Sequence, residues 1–245
     1  MTIRTDPASQ ATRKRDARQA GVLYLLFAVA AIVNEFFFPT FMVSGDATAT
    51  ARNITAGELA YRTDIMGSFV VHIIFVILVV SLYNLFRDVD RKQAMFMVLM
   101  VSLGVAIALV NLLNKIAPLI FLSGDEYLSI FTKPQLDALA LGFLRLHSNG
   151  ANLAIAFWGL WLFPFGILVI RSGFIPKIFG ILLIVAGVGY SVTSFTAIVL
   201  PEFRPVLSPF IMPLYLGELP IIFWLAIKGV NVQKMEARAL QTDAV

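Results

Sequence analysis

Apolar side chains fall in long runs along this chain, and short polar or charged stretches separate them. The first run holds Val22 to Val33, and the second Met66 to Leu82 with His72 inside it. The third is apolar from Met95 to Val110, polar at Asn111, Asn114 and Lys115, and apolar again to Leu122. Leu153 to Ile170 and Ile178 to Val188 form the next two, and Pro209, Pro213 and Pro220 interrupt the last. With their flanks the segments extend over approximately 20–42, 64–86, 94–122, 148–171, 174–199 and 206–229. Each is long enough to cross about 30 Å of hydrocarbon at about 1.5 Å per helical residue. Barrel strands are about ten residues long and alternate apolar with polar, which these runs do not do. A water-soluble bundle fails as well, because nearly every helix would be apolar on all sides. The pattern predicts an all-α fold: a polytopic membrane helical bundle of six transmembrane helices in one domain over 20–230. A basic arm over 1–19 and a tail over 231–245 flank it, both expected on the cytoplasmic side.

Composition agrees. Of 245 residues, 59% are hydrophobic and 14% charged, where soluble domains hold about 45–50% and about 25%. The net charge of +4 does not indicate nucleic acid, because Lys and Arg punctuate the apolar runs instead of forming one stripe with aromatics. The expected partner is the lipid bilayer, with anionic headgroups toward the basic side. No cysteine is present, which excludes disulfides, thiolate nucleophiles and cysteine metal sites. Arg4, Arg13, Lys14, Arg15 and Arg18 precede an apolar segment too long for a signal peptide, so it reads as an uncleaved first span. With the N-terminus cytoplasmic, thirteen basic residues fall on the inner side and five on the outer. That asymmetry orients the bundle with both ends inside.

Inner connections are short, whereas the outer ones over 43–63 and 123–147 are long. Loops of that length are uncommon without local structure, so both are expected to be partly helical, with Asp46 capping a helix from Ala47. The run Gly45-Asp46-Ala47-Thr48-Ala49-Thr50-Ala51-Arg52-Asn53-Ile54 with Arg62 follows the first span. Leu82-Tyr83-Asn84-Leu85-Phe86 ends the second, and Arg171-Ser172-Gly173-Phe174-Ile175-Pro176-Lys177-Ile178-Phe179-Gly180-Ile181-Leu182 leads to Ala186-Gly187-Val188-Gly189-Tyr190. In these blocks, and over nearly its whole length, the chain resembles a bacterial integral membrane family catalogued as domain of unknown function 4386. The resemblance implies a multi-pass inner-membrane protein, and it brings no catalytic residue with it. Gly173 and Pro176 suit a tight connection, and Gly180, Gly187 and Gly189 suit close helix contact in lipid.

Polar side chains concentrate in the outer halves of the spans. Asn34 and Glu35 lie in the first, Asp64 and His72 in the second, and Asn111, Asn114 and Lys115 on one face of the third. Asn152 lies in the fourth, Tyr190, Thr193 and Ser194 in the fifth, and Tyr215 and Glu218 near the middle of the sixth. Ionisable groups facing hydrocarbon cost at least about 2.5 kcal/mol each, so these should face the bundle, water or one another. They are expected to line a polar cavity opening outward; the plainer alternative is a few structural ion pairs with interhelical asparagine bonds. Lys115 is expected to pair with Glu35 or Glu218. No metal-binding histidine spacing occurs, and Asp64, Ser68 and His72 on adjacent turns of one helix are a poor triad geometry. No metal, cofactor or catalytic residue is therefore expected. The favoured expectation is a transporter of a small molecule or ion in the bacterial inner membrane. The alternatives are a receptor-like or assembly protein for an amphipathic ligand, and a lipid- or isoprenoid-modifying enzyme. Nothing in the pattern sets an oligomeric state.

Overall fold

The computed structural model describes residues 7–38 and 40–231. Most of the tail over 231–245 and the start of the basic arm therefore lie outside the described residues. Within them the regular structure is all helix, with no strand. The helices are α1 (Pro7–Phe36), α2 (Ala47–Ala56), α3 (Glu58–Phe86), α4 (Arg91–Phe121), α5 (Lys133–Leu160), α6 (Leu162–Ser172), α7 (Lys177–Val199), α8 (Arg204–Tyr215) and α9 (Leu219–Ile227). Among the described residues six helical segments are long and apolar enough to cross a membrane, α5 with α6 and α8 with α9 each forming one. Asp46 caps α2 by accepting from the Ala49 amide at 2.8 Å, which satisfies a first-turn donor.

An even number of crossings brings the described ends of the chain together. The Asn231 amide donates to the Phe174 carbonyl at 3.2 Å. Gly229 lies against Lys14 and Arg18. Arg171 pairs with Asp90 at 2.5 Å across the same end. This basic end sits over the main core, where Phe75, Leu78, Leu82 and Phe86 of α3 meet Met97 and Val101 of α4 and Phe165 and Leu168 of α6. A smaller cluster of Phe41, Ile54, Tyr61 and Leu144 fixes α2 at the far end.

Two crossings depart from a single straight span. The helix of the fourth crossing begins at Lys133, so the helix expected within 123–147 is continuous with the span. Gln135 accepts from the Thr132 amide at 2.8 Å, and Pro134 takes a first-turn position that needs no donor. Ala140, Leu141 and Leu144 then bury one face of α5, so the stretch is amphipathic helix where hydropathy alone reads loop. The combined Lys133–Ser172 segment of 40 residues would be about 60 Å long at helical rise, so it must tilt or project beyond the bilayer. The sixth crossing is broken by a 3₁₀ turn over Leu216–Glu218. Pro220 offers no amide to the preceding turn, and such a gap is tolerated where neighbouring helices enclose it. On either side of the break, α8 packs on α7 and α9 packs on α1.

Glycines bring α7 against α5 and α6. A Cβ on Gly180 would sit 2.6 Å from the Gly166 carbonyl oxygen, and one on Gly187 2.9 Å from that of Gly159. Lipid supplies no hydrophobic drive between helices, so this close approach is the packing that holds them. Gly180→Val should therefore destabilise the protein by about 1–3 kcal/mol. Thermal unfolding in mild detergent measures it against Ile181→Val on the exposed side of the same helix. Equal midpoints for the two variants would contradict the packing assignment.

Candidate functional site

The polar residues of the spans form three groups, and α3 carries two of them. Tyr61, Asp64, Ser68 and His72 recur at three- and four-residue steps, so they share one face of that helix. At its far end Lys115 of α4 pairs with Asp64 at 2.5 Å, their side chains 15% and 11% exposed. The Tyr61 hydroxyl donates to the Lys115 carbonyl at 2.6 Å. This corrects the expected pairing of Lys115 with Glu35 or Glu218. Glu218 bonds Tyr24 of α1 instead, and Glu35 is exposed at the end of α1. The ammonium takes the carboxylate that faces it across the α3–α4 contact.

The same group is tied to α5. Asn111 donates to the His147 carbonyl at 2.8 Å, and Asn114 donates to the Asn111 side-chain oxygen at 3.0 Å. His147 Nδ1 lies 3.1 Å from the Asn111 carbonyl. A carbonyl only accepts, so Nδ1 donates in this bond. Gly150 makes room for this arrangement, since a Cβ there would fall 2.2 Å from Asn111 Oδ1.

One turn deeper, Asn34 of α1 donates to Ser68 Oγ at 2.9 Å, and Ser68 donates to the Asp64 carbonyl at 3.0 Å. His72 Nδ1 donates to the Ser68 carbonyl at 2.6 Å. The Ser68 hydroxyl is thus directed away from His72, and no triad forms. Beside His72 stands Trp158, with ring centroids 5.9 Å apart. Asn34 Oδ1 and Trp158 Nε1 are buried without a protein partner.

The third group lies at the break in the sixth crossing. Tyr24 of α1, 1% exposed, donates to Glu218 Oε2 at 2.5 Å. Tyr190 of α7 faces the same carboxylate and stacks on Tyr215 with centroids 4.2 Å apart. The Tyr215 hydroxyl in turn bonds Thr193. Among the described residues Glu218 has no cationic partner; hydroxyls from surrounding helices satisfy it. Phe27, Phe75 and Trp161 lie between this centre and His72: Phe27 stacks on Phe75 at 4.5 Å, and Trp161 touches both Phe75 and Tyr24.

The expected residues therefore gather as Asp64, Asn111, Asn114 and Lys115 in one group, Asn34 and His72 in the second, and Tyr190, Thr193, Tyr215 and Glu218 in the third. Asn152 and Ser194 stand apart from all three. Ser194 donates to the Asn152 carbonyl at 2.7 Å and joins α5 to α7. Tyr24 was not among the expected residues, although it is the one hydroxyl in the run Val22 to Val33. Tyr61, His147 and Trp158 are further additions, visible only once the helices are packed. Among the described residues no three His, Asp or Glu side chains come together as metal ligands.

The fold and its buried polar groups define a polytopic membrane helical protein. Residues 19–229 match the family described as Domain of unknown function (DUF4386), and the chain belongs to that family. It is also similar to a protein of Archaeoglobus fulgidus titled "Uncharacterized protein", with 28% identity over 169 residues, covering 65% of this chain and 96% of the relative. No solved structure matches the chain.

Proposed function

We propose that the chain is a transporter of a small molecule or ion, with Glu218 as its coupling carboxylate and the polar face of α3 and α4 as its outward entrance. The observation that carries this reading is an ionisable side chain within a span, at a helix break, without a fixed counter-charge among the described residues. Intramembrane carboxylates are costly and belong to ion or proton pathways. Broken helices supply the free backbone groups that coordinate a passing ligand. Tyr24 and Tyr190 would stabilise the ionised carboxylate, and a proton or cation arriving there would compete with those bonds. The polar steps at Asp64–Lys115 and at Asn34–Ser68–His72 would lead toward it from outside, with Phe27, Phe75 and Trp161 as the apolar barrier. In this reading the protein lies in a bacterial inner membrane with both ends cytoplasmic, as its basic residues favour.

A second reading is binding of an amphipathic ligand without transport. It is favoured because the outer polar groups spend most of their hydrogen bonds on one another. The test is solute-dependent proton movement in proteoliposomes, followed by an internal pH dye under an imposed gradient. Protein-containing vesicles should dissipate the gradient in the presence of a transported solute. Glu218→Gln, which can still accept from Tyr24, should reduce that flux at least about tenfold, as expected when a proton-transfer group is lost. Saturable thermal stabilisation by a solute that produces no flux would establish the binding reading instead.

A further inference from the structure

We propose that the recess between α1 and α3 at the basic end is a binding site for one anionic phospholipid, held by Lys14, Arg15 and Arg18. This inference does not depend on transport. The recess has a volume of about 760 Å³, within the range of sites that hold small organic ligands. Its rim carries those three cations together with the side-chain amide of Gln19 and the hydroxyl of Ser81, and among the described residues no acidic side chain lines it.

Two cations at the same end are held by carboxylates. Arg171 faces Asp90, and Arg87 faces Asp88. Lys14, Arg15 and Arg18 are exposed and have no carboxylate partner among the described residues. Helical spacing sets Lys14 with Arg18, and Arg15 with Gln19, one turn apart on neighbouring lines of α1. The cations and the donors from Gln19 and Ser81 thus surround one concavity, which suits a phosphate that accepts several bonds at once.

Apolar structure continues from the same place. Val22 and Leu23 line the recess directly below the cations. Val22, Leu26, Val29 and Val33 are all exposed and follow one another at steps of four, three and four residues along α1. That lane runs from the charged recess into the depth of the bilayer, as an acyl chain does. A free phosphate would use the rim alone, whereas a phospholipid uses both rim and lane. Basic recesses between spanning helices are suited to anionic headgroups.

The test is native mass spectrometry of the full chain released from nanodiscs holding equal phosphatidylglycerol and phosphatidylcholine. The wild type should retain phosphatidylglycerol preferentially. The triple variant K14Q/R15Q/R18Q should lose that preference by at least about tenfold, since each cation near an anionic surface contributes about fivefold. R91Q/K92Q removes two exposed cations from the same end but outside the recess, and should keep the preference. Leu23→Trp leaves every charge in place while filling the recess, and should also weaken retention. Thermal unfolding confirms that each variant is folded before its lipids are compared. Equal retention of both lipids by the wild type overturns the proposal, as does equal loss in R91Q/K92Q or full retention in Leu23→Trp. Displacement of the lipid by glycerol phosphate at equal concentration would make the site one for a free phosphate group and overturn the lipid assignment.

Discussion

Lys115→Met should lower the thermal stability of the protein in detergent by breaking its pair with Asp64. The substitution leaves the buried Asp64 side chain without the ammonium that faces it at 2.5 Å. Breaking a buried pair in this way costs about 3–5 kcal/mol in soluble proteins. Polar contacts inside membranes average nearer 0.6 kcal/mol, which sets the lower end of the expected range. Asp64→Asn should cost a comparable amount by stranding the cation. The double variant should be less destabilised than the sum of the two, because no uncompensated charge remains. Cycles of Lys115→Met with Glu35→Gln or Glu218→Gln should show no coupling, since neither carboxylate faces the ammonium. A coupling to Glu218 larger than that to Asp64 would overturn the assignment of the pair.

Gly21→Val should separate α9 from α1, and its effect should exceed that of Gly180→Val. A Cβ at Gly21 would lie 2.2 Å from the Ala226 backbone nitrogen and 2.3 Å from the Leu225 carbonyl carbon. Both obstacles are main chain, so no rotamer change can relieve them; one helix must move as a body. Overpacking usually costs about 1–3 kcal/mol, and the closer approach at Gly21, 2.2 Å against 2.6 Å at Gly180, puts its cost at or above the top of that range. Tyr24 is one turn along α1 and Glu218 immediately precedes α9, so the displacement should also strain the 2.5 Å Tyr24–Glu218 bond. Unfolding midpoints of Gly21→Val and of Leu26→Ala, which faces away from the bundle, provide the comparison. A midpoint within about 2 °C of the wild type would show that α1 and α9 do not meet as closely as described; 1 kcal/mol corresponds to about 2–4 °C at this chain length.

The two expectations depend on different kinds of information. Six apolar runs determine six crossings because each backbone must satisfy its own hydrogen bonds in hydrocarbon, which only a helix of sufficient length does along one segment. The Asp46 cap and the interruption of the sixth span are equally local, since an aspartate before Ala47 and three prolines act on their own neighbours in the chain. The fourth helix start was obscured because Lys133, Gln135, Asp137 and Arg145 lower the local hydropathy, while the buried face of α5 depends on contact with other helices. The partner of Lys115 was hidden for a related reason. Sequence gives depth along each span but not the rotation or neighbours of that span, and Asp64, Glu35 and Glu218 all offered a negative charge. Tyr24 looked like one more apolar contact until packing set its hydroxyl against Glu218. Residue types and spacing determined by themselves that the chain is a helical membrane bundle with polar groups inside. Only the tertiary structure decided that those groups divide into three centres, because hydrogen bonds and ion pairs act over a few ångströms and the helix contacts choose which side chains come that close.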